Sequence, residues 1–169
     1  MMTAMLHKQV AMNVKAVTDE GQFSGLGSVF GVTDSYGDVV VPGAFKESLA
    51  AHAAAGSMPA MLWQHDSGEP IGKYIKAEET EEGLALEGQI LIDAGATEKR
   101  AHAHIKAGSV SGMSIGYSLP EGGYHWDSEK QVFMLTKIDL WEVSIVTFPA
   151  NPEAQIQDVK SVLAKGGKP

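Results

Sequence analysis

The chain has 169 residues, 44% of them hydrophobic and 20% charged, which is the composition expected of one folded globular domain. Its net charge of -8 makes nucleic acid an unfavourable partner, because phosphate backbones are bound by clustered positive charge. No apolar run reaches the ~18 residues that a membrane helix needs, so we expect no membrane association. The lack of cysteine leaves a hydroxyl, an amine or a carboxylate for any covalent catalysis.

The apolar patterning predicts more strands than helices within a single domain, residues 1–169. Residues 1–20 are expected to form a flexible arm or an edge strand, and residues 153–169 a C-terminal helix with a loose tail. Between them the pattern predicts strands at 22–32, 39–41, 58–65, 83–92, 109–119 and 132–148, and helices at 44–55 and 95–107. The fold class is therefore β-rich α+β: a mostly antiparallel, closed or nearly closed barrel with about three flanking helices.

Helix ends are marked by short-range signals. Asp93 is expected to cap the second helix at its N-terminus, and Gly56 and Gly108 are expected to end the two helices.

The strand at 109–119 carries the first candidate for chemistry, Ser114. Its apolar side chains alternate toward one face, so Ser114 is expected to point outward on the other face. Gly112 and Gly116 flank it on that face, and residues without side chains leave room for a peptide backbone to approach. We therefore assign a substrate-binding role to both glycines. Serines and glycines that merely fill a solvent-facing strand are the alternative interpretation.

Two further segments carry polar groups in apolar surroundings. His65 ends an apolar strand, and an imidazole can take a proton from a serine hydroxyl and return it to a leaving group. Glu142 lies within the apolar run at 139–148, where its carboxylate needs a partner. That partner is either an imidazole N–H or a cross-strand Lys or Arg.

Four motifs, in this order, resemble the phage prohead proteases of the HK97 type, a family that is similar in fold to the herpesvirus assemblins. The resemblance covers about residues 21–154, and its motifs are DSYGDVVVPGAF (34–45), WQHD (63–66) with PIG (70–72), SGMSIGY (111–117), and LWEVSIV (140–146) with PANP (149–152).

This resemblance implies a serine endopeptidase that acts through an acyl-enzyme, with Ser114 as nucleophile and His65 as general base. Glu142 is assigned the orienting role, with Asp139 as the alternative. No cofactor and no metal ion are expected. The implied substrates are scaffold and major capsid protein segments inside the procapsid, in the host bacterial cytoplasm, together with self-cleavage between about Val159 and Gly167. The sequence leaves a homo-oligomer open.

A non-enzymatic interpretation uses the same barrel. If Ser114 and His65 lay far apart, the chain would be a virion structural or scaffold-binding protein. The distances among Ser114, His65 and Glu142 distinguish the two interpretations.

Overall fold

The computed structural model describes residues 17–34 and 36–147, and the backbone of residues 6–11. Ten strands, two helices and one 3₁₀ turn occur in these ranges. In chain order they are β1 (Leu6–Ala11), β2 (Gln22–Val29), β3 (Asp38–Val40), α1 (Lys46–Ala55), β4 (Ala60–Trp63), β5 (Asp66–Glu79), β6 (Gly83–Ile90), the 3₁₀ turn (Ile92–Ala94), α2 (Ala96–Ala107), β7 (Gly112–Ser118), β8 (Tyr124–Asp127), β9 (Val132–Leu135) and β10 (Asp139–Val146).

Seven strands form the main sheet in the order β1-β7-β10-β4-β5-β6-β2. Its neighbouring strands are antiparallel, except for β10 and β4, which are parallel. The small second sheet has the order β3-β9-β8.

The β-rich α+β class is confirmed, but the closed barrel is wrong. The main sheet curls so that β1 approaches β2, yet the described residues of these two edge strands form no ladder, which leaves a half-barrel. The strands β3, β8 and β9 pair with one another in the second sheet and do not extend the main sheet. Two helices lie within the described ranges, and the helix predicted at 153–169 lies outside them.

Alternating apolar side chains from the main sheet build the core, as the pattern at 83–92 and 109–119 predicted. On β7, Met113, Ile115 and Tyr117 are buried in it, and α2 contributes Ala101 and Ile105. Both helices end as expected, at glycines in the left-handed conformation, Gly56 at φ +68° and Gly108 at φ +78°. The cap expected at Asp93 is wrong, because the 3₁₀ turn takes up that residue and α2 begins after Gly95.

A β-bulge interrupts β10 between Leu140 and Glu142, where the register against β7 shifts. Leu140 is thereby buried in the core while Trp141 is 56% exposed, and the Trp141 indole N–H donates to Ser118 Oγ at 3.0 Å. Simple period-two alternation along 139–148 would place Trp141 on the core face with Val143 and Ile145, and the bulge turns it outward instead. A bulge adds one residue to a strand and so redirects the side chains that follow.

Helix α1 holds the backbone of β10 immediately before this bulge. Ser48 Oγ accepts the N–H of Leu140 at 2.9 Å, and His52 Nε2 donates to the carbonyl oxygen of Leu140 at 2.9 Å. The His52 ring is itself oriented by Ser57, whose Oγ lies 2.9 Å from Nδ1. Both backbone polar groups of Leu140 are thus paired with side chains of α1, which fixes the start of the strand that carries Glu142.

No helix within the described ranges is long and apolar enough to cross a bilayer.

Candidate active site

His65 lies in a tight turn rather than at the end of a strand. Gln64 and His65 form the two-residue connection between β4 and β5, and both have positive φ, at +55° and +60°. Two-residue hairpin loops favour positive φ at both positions, usually with Asn and Gly, because side chains such as those of Gln and His are strained there. Backbone strain of this kind clusters at functional sites, where the surrounding structure has to maintain it.

Strand β10 maintains this turn through several hydrogen bonds. The Gln64 N–H donates to the carbonyl oxygen of Ile145 at 3.0 Å, and Gln64 Oε1 accepts the N–H of Thr147 at 3.2 Å. The His65 N–H donates to Ser144 Oγ at 3.1 Å. The parallel pairing of β4 with β10 brings these groups together, so the sheet topology places His65 over β10.

Three side chains that the sequence singled out form one hydrogen-bonded line. His65 Nε2 lies 2.6 Å from Ser114 Oγ. The other ring nitrogen, Nδ1, lies 2.9 Å from Glu142 Oε2 and 3.1 Å from Oε1. A carboxylate only accepts, so Nδ1 carries the proton and Nε2 is left to accept the Ser114 hydroxyl proton.

Burial sets the electrostatics of this line. Glu142 is 3% exposed and the His65 side chain is 18% exposed, so little water screens their contact. Of the two partners predicted for Glu142, the structure provides the imidazole N–H, together with the hydroxyl of Ser144, which donates to Oε2 at 3.0 Å.

Asp139, the alternative acid, is exposed and pairs with Ser118 in the β7 register. Ser118 is four residues along the strand from Ser114, or roughly 13 Å at the rise of a β-strand. This position separates Asp139 from the line of three side chains.

The glycines beside Ser114 do not leave open space. A Cβ at Gly116 would lie 2.7 Å from Glu142 Cδ, and a Cβ at Gly112 would lie 3.0 Å from Val146 Cγ2. Ser114 itself has 0% exposure. The expectation that Ser114 points outward is therefore wrong, and Gly116 leaves room for the side chain of Glu142. The substrate-binding role of Gly112 and Gly116 stays a prediction.

Tyr74 lies beneath the acid, on β5. Its hydroxyl donates to the carbonyl oxygen of Val143 at 2.8 Å. Burial, and secondarily the charge of Glu142, raise the pKa of Tyr74 well above its usual range. The phenol is therefore a neutral donor that anchors β10 next to Glu142.

Sequence reasoning missed the site roles of Ser144 and Gln64. The alternation on β10 placed Ser144 on the face of Glu142, but the contact with the His65 backbone depends on a turn that no local pattern indicated. Elsewhere, no group of three or more His, Asp or Glu side chains in the described ranges could hold a metal ion.

A serine, an imidazole and a carboxylate hydrogen-bonded in this order form the arrangement that serine hydrolases use, serine peptidases among them. Over residues 9–168 the chain matches the family described as caudovirus prohead serine protease. The chain belongs to this family.

Comparison with individual proteins agrees with this membership. The chain is 39% identical over 145 residues to the prohead protease of Enterobacteria phage HK97, a match that covers 85% of this chain and 62% of that protein. It is 32% identical over 129 residues to the prohead protease of Escherichia phage T5, covering 76% and 59% respectively. The chain thus spans about three fifths of the length of these curated relatives.

The fold resembles that of the bacteriophage T4 capsid assembly protease, gp21, with a TM-score of 0.69. The similarity covers 87% of this chain and 99% of that one at 9% sequence identity, so it concerns the fold.

Proposed function

We propose that this chain is the catalytic domain of a serine endopeptidase that cleaves scaffold and major capsid protein segments during maturation of a phage prohead. It acts in the interior of the procapsid, in the host bacterial cytoplasm. The observation that supports this most strongly is the line from Ser114 Oγ through both nitrogens of His65 to the carboxylate of Glu142.

In the proposed mechanism, Ser114 Oγ attacks the scissile carbonyl carbon while its proton passes to His65 Nε2. The imidazolium then gives this proton to the leaving amine as the C–N bond breaks. Water attacks the acyl-enzyme by the same route in reverse, and Ser114 regains its proton. Glu142 keeps the proton of the neutral ring on Nδ1 and stabilises the imidazolium. No step requires a cofactor.

The developing oxyanion needs hydrogen-bond donors beside Ser114. An arginine side chain is one possible donor, but the only arginine of the chain, Arg100, lies on α2 and none follows Ser114 in sequence. We therefore expect backbone N–H groups to serve as the donors.

The non-enzymatic interpretation depended on a separation between Ser114 and His65. Their contact at 2.6 Å removes its structural premise.

A fluorophosphonate probe, which reacts with activated serines, tests the proposal. The wild-type chain should be labelled at Ser114 and should cleave its cognate capsid protein or scaffold when the two are co-expressed. Ser114→Ala should lose both activities and remain folded, because it removes one hydroxyl. Ser111→Ala, which changes a half-buried serine just before β7, is the matched control and should retain both. Cleavage that persists in folded Ser114→Ala would contradict the assignment.

Self-cleavage is a separate part of the proposal. Its expected bond, between about Val159 and Gly167, lies outside the described residues. Intact-mass measurement after incubation should show that the wild-type chain shortens while Ser114→Ala stays full length. A wild-type chain that stays full length while it cleaves another substrate would refute self-processing alone.

A further inference from the structure

Ser144 is a second fully buried serine beside the proposed catalytic line. It lies directly opposite Ser114 in the antiparallel register of β10 and β7, and it has 0% exposure. A buried hydroxyl needs hydrogen-bond partners, so its contacts indicate what it does.

The direction of each hydrogen bond at Ser144 follows from its partners. The backbone N–H of His65 can only donate, so Ser144 Oγ accepts it at 3.1 Å. The carboxylate of Glu142 can only accept, so the Ser144 hydroxyl donates its single proton to Oε2 at 3.0 Å. This hydroxyl therefore links the backbone of the histidine to the side chain of the acid.

The first consequence concerns the acid. The terminal torsion of a glutamate side chain is broad, so one hydrogen bond leaves the carboxylate free to rock. Oε2 receives both His65 Nδ1 at 2.9 Å and the Ser144 hydroxyl at 3.0 Å. Two donors on one oxygen fix the plane of the carboxylate toward the imidazole.

The second consequence concerns the base. His65 has a φ of +60°, a strained conformation for a residue with a side chain. The bond from its N–H to Ser144 helps to hold this backbone on β10, and the position of the ring follows from the position of the backbone.

From this geometry we infer that Ser144 is a positioning residue, which sets the relative placement of His65 and Glu142 without touching the substrate. The inference rests on the proposed function. Its prediction for the imidazole, that Ser144 keeps the ring proton on Nδ1, can be measured without any substrate.

The test compares Ser144→Ala with Ser118→Ala. Ser118 is also buried, at 5% exposure, but its hydroxyl oxygen accepts the indole N–H of Trp141, away from His65. Ser144→Ala should lower kcat about ten- to hundredfold with little change in KM, the effect of losing a hydrogen bond to a charged group. The kcat of Ser118→Ala should stay within about twofold of the wild type. Ser144→Thr keeps a hydroxyl at this position, so it should lose less kcat than Ser144→Ala.

Nitrogen-15 NMR of the imidazole supplies the independent measurement. The wild-type spectrum should show His65 protonated at Nδ1 alone, whereas Ser144→Ala should show a mixture of the two tautomers. Unchanged kcat and an unchanged tautomer in Ser144→Ala would overturn the inference, as would equal losses of kcat in Ser144→Ala and Ser118→Ala. If the alanine variant fails to fold, Ser144→Cys keeps the volume with a weaker donor and should show the same two changes.

The two claims fail in different ways. If the wild-type chain neither cleaves substrate nor reacts with the probe, but Ser144→Ala still changes the His65 tautomer, the proposed function is refuted and the positioning role stands. If the wild-type chain is active and Ser144→Ala changes neither the His65 tautomer nor kcat, the positioning role is refuted and the proposed function stands.

Discussion

Replacing Glu142 by glutamine is the sharpest perturbation of the proposed catalytic line, because it keeps the shape and removes the charge. The carboxylate accepts from His65 Nδ1 and from the Ser144 hydroxyl. An amide offers one accepting oxygen and one donating nitrogen. If the amide nitrogen faces the ring, the imidazole has to place its proton on Nε2, where it can no longer accept from Ser114.

The expected magnitude follows from the charge lost. A unit charge pair about 4 Å apart near a protein surface is worth about 4 kcal/mol, or roughly a thousandfold in rate if the imidazolium forms in the transition state. Glu142 is 3% exposed, so water cannot replace this stabilisation. The wrong tautomer adds to the loss, and the Asp-to-Asn change in a Ser-His-Asp triad costs about 10⁴ in rate. We therefore expect Glu142→Gln to lose 10³- to 10⁴-fold in kcat, by these same two effects.

The assay measures the rate of substrate cleavage and the rate of fluorophosphonate labelling. The comparison requires that the melting temperature of the variant be close to that of the wild type. Asp139→Asn is the matched control, since it makes the same chemical change at an exposed residue of the same strand, and it should stay within about twofold in kcat. Activity retained in Glu142→Gln and lost in Asp139→Asn would transfer the role to Asp139 and refute the argument from geometry.

Three further predictions follow from contacts around the site. Gly116→Ala should sharply reduce kcat and lower the melting temperature, because the added Cβ would lie 2.7 Å from Glu142 Cδ and would push the buried carboxylate away from its hydrogen-bond donors. Wild-type activity in this variant would show that the acid tolerates displacement. His52→Leu should lower the melting temperature and kcat, because it leaves the carbonyl oxygen of Leu140 without its side-chain donor. His52→Gln keeps a donor and should lose less of both, so equal losses in the two variants would contradict the role of His52 in holding β10. Since burial raises the pKa of Tyr74, the folded chain keeps a phenolic proton that the unfolded chain releases above pH ~10, so the free energy of unfolding should fall as pH rises through that range. In urea unfolding at pH 7, the free energy of unfolding of Tyr74→Phe should be about 1 kcal/mol lower than that of the wild type, because the hydrogen bond to β10 is lost. Its free energy of unfolding should fall less steeply with alkaline pH, and parallel pH profiles of the two proteins would exclude a contribution from Tyr74 ionisation.

Local patterns predicted the parts of the fold that alternate cleanly. Strand β7 has period-two apolar residues, and its core side chains, Met113, Ile115 and Tyr117, are buried as expected. Strand β5 was not predicted, although at 14 residues it is the longest described strand. Its sequence is charged and lacks alternation, and it is extended because it pairs with β4 on one side and β6 on the other. Such pairing is a long-range property that a short window of sequence cannot contain.

The candidate site was predictable in its residue types but not in its surroundings. The resemblance selected Ser114 and His65, and the position of Glu142 in an apolar strand selected the acid. The structure brings these three side chains together. The bulge that exposes Trp141 and the turn that gives His65 positive φ come from tertiary contacts, so residue periodicity could not predict them. The same limit applies to Ser144, because alternation puts it on the face of Glu142 whereas its bond to the His65 backbone depends on the turn.

The position of β10 in the sheet has a consequence for when the site can exist. This strand is the last described one to be synthesised, yet it lies between β7, which carries Ser114, and β4, which leads to the His65 turn. Before β10 inserts, the two halves of the main sheet have no strand to join them, and the acid is absent. A nascent chain therefore cannot assemble the line of three side chains until residue 146, the end of β10, has been made. On the proposed mechanism, a truncated product that ends before β10 should therefore be inert.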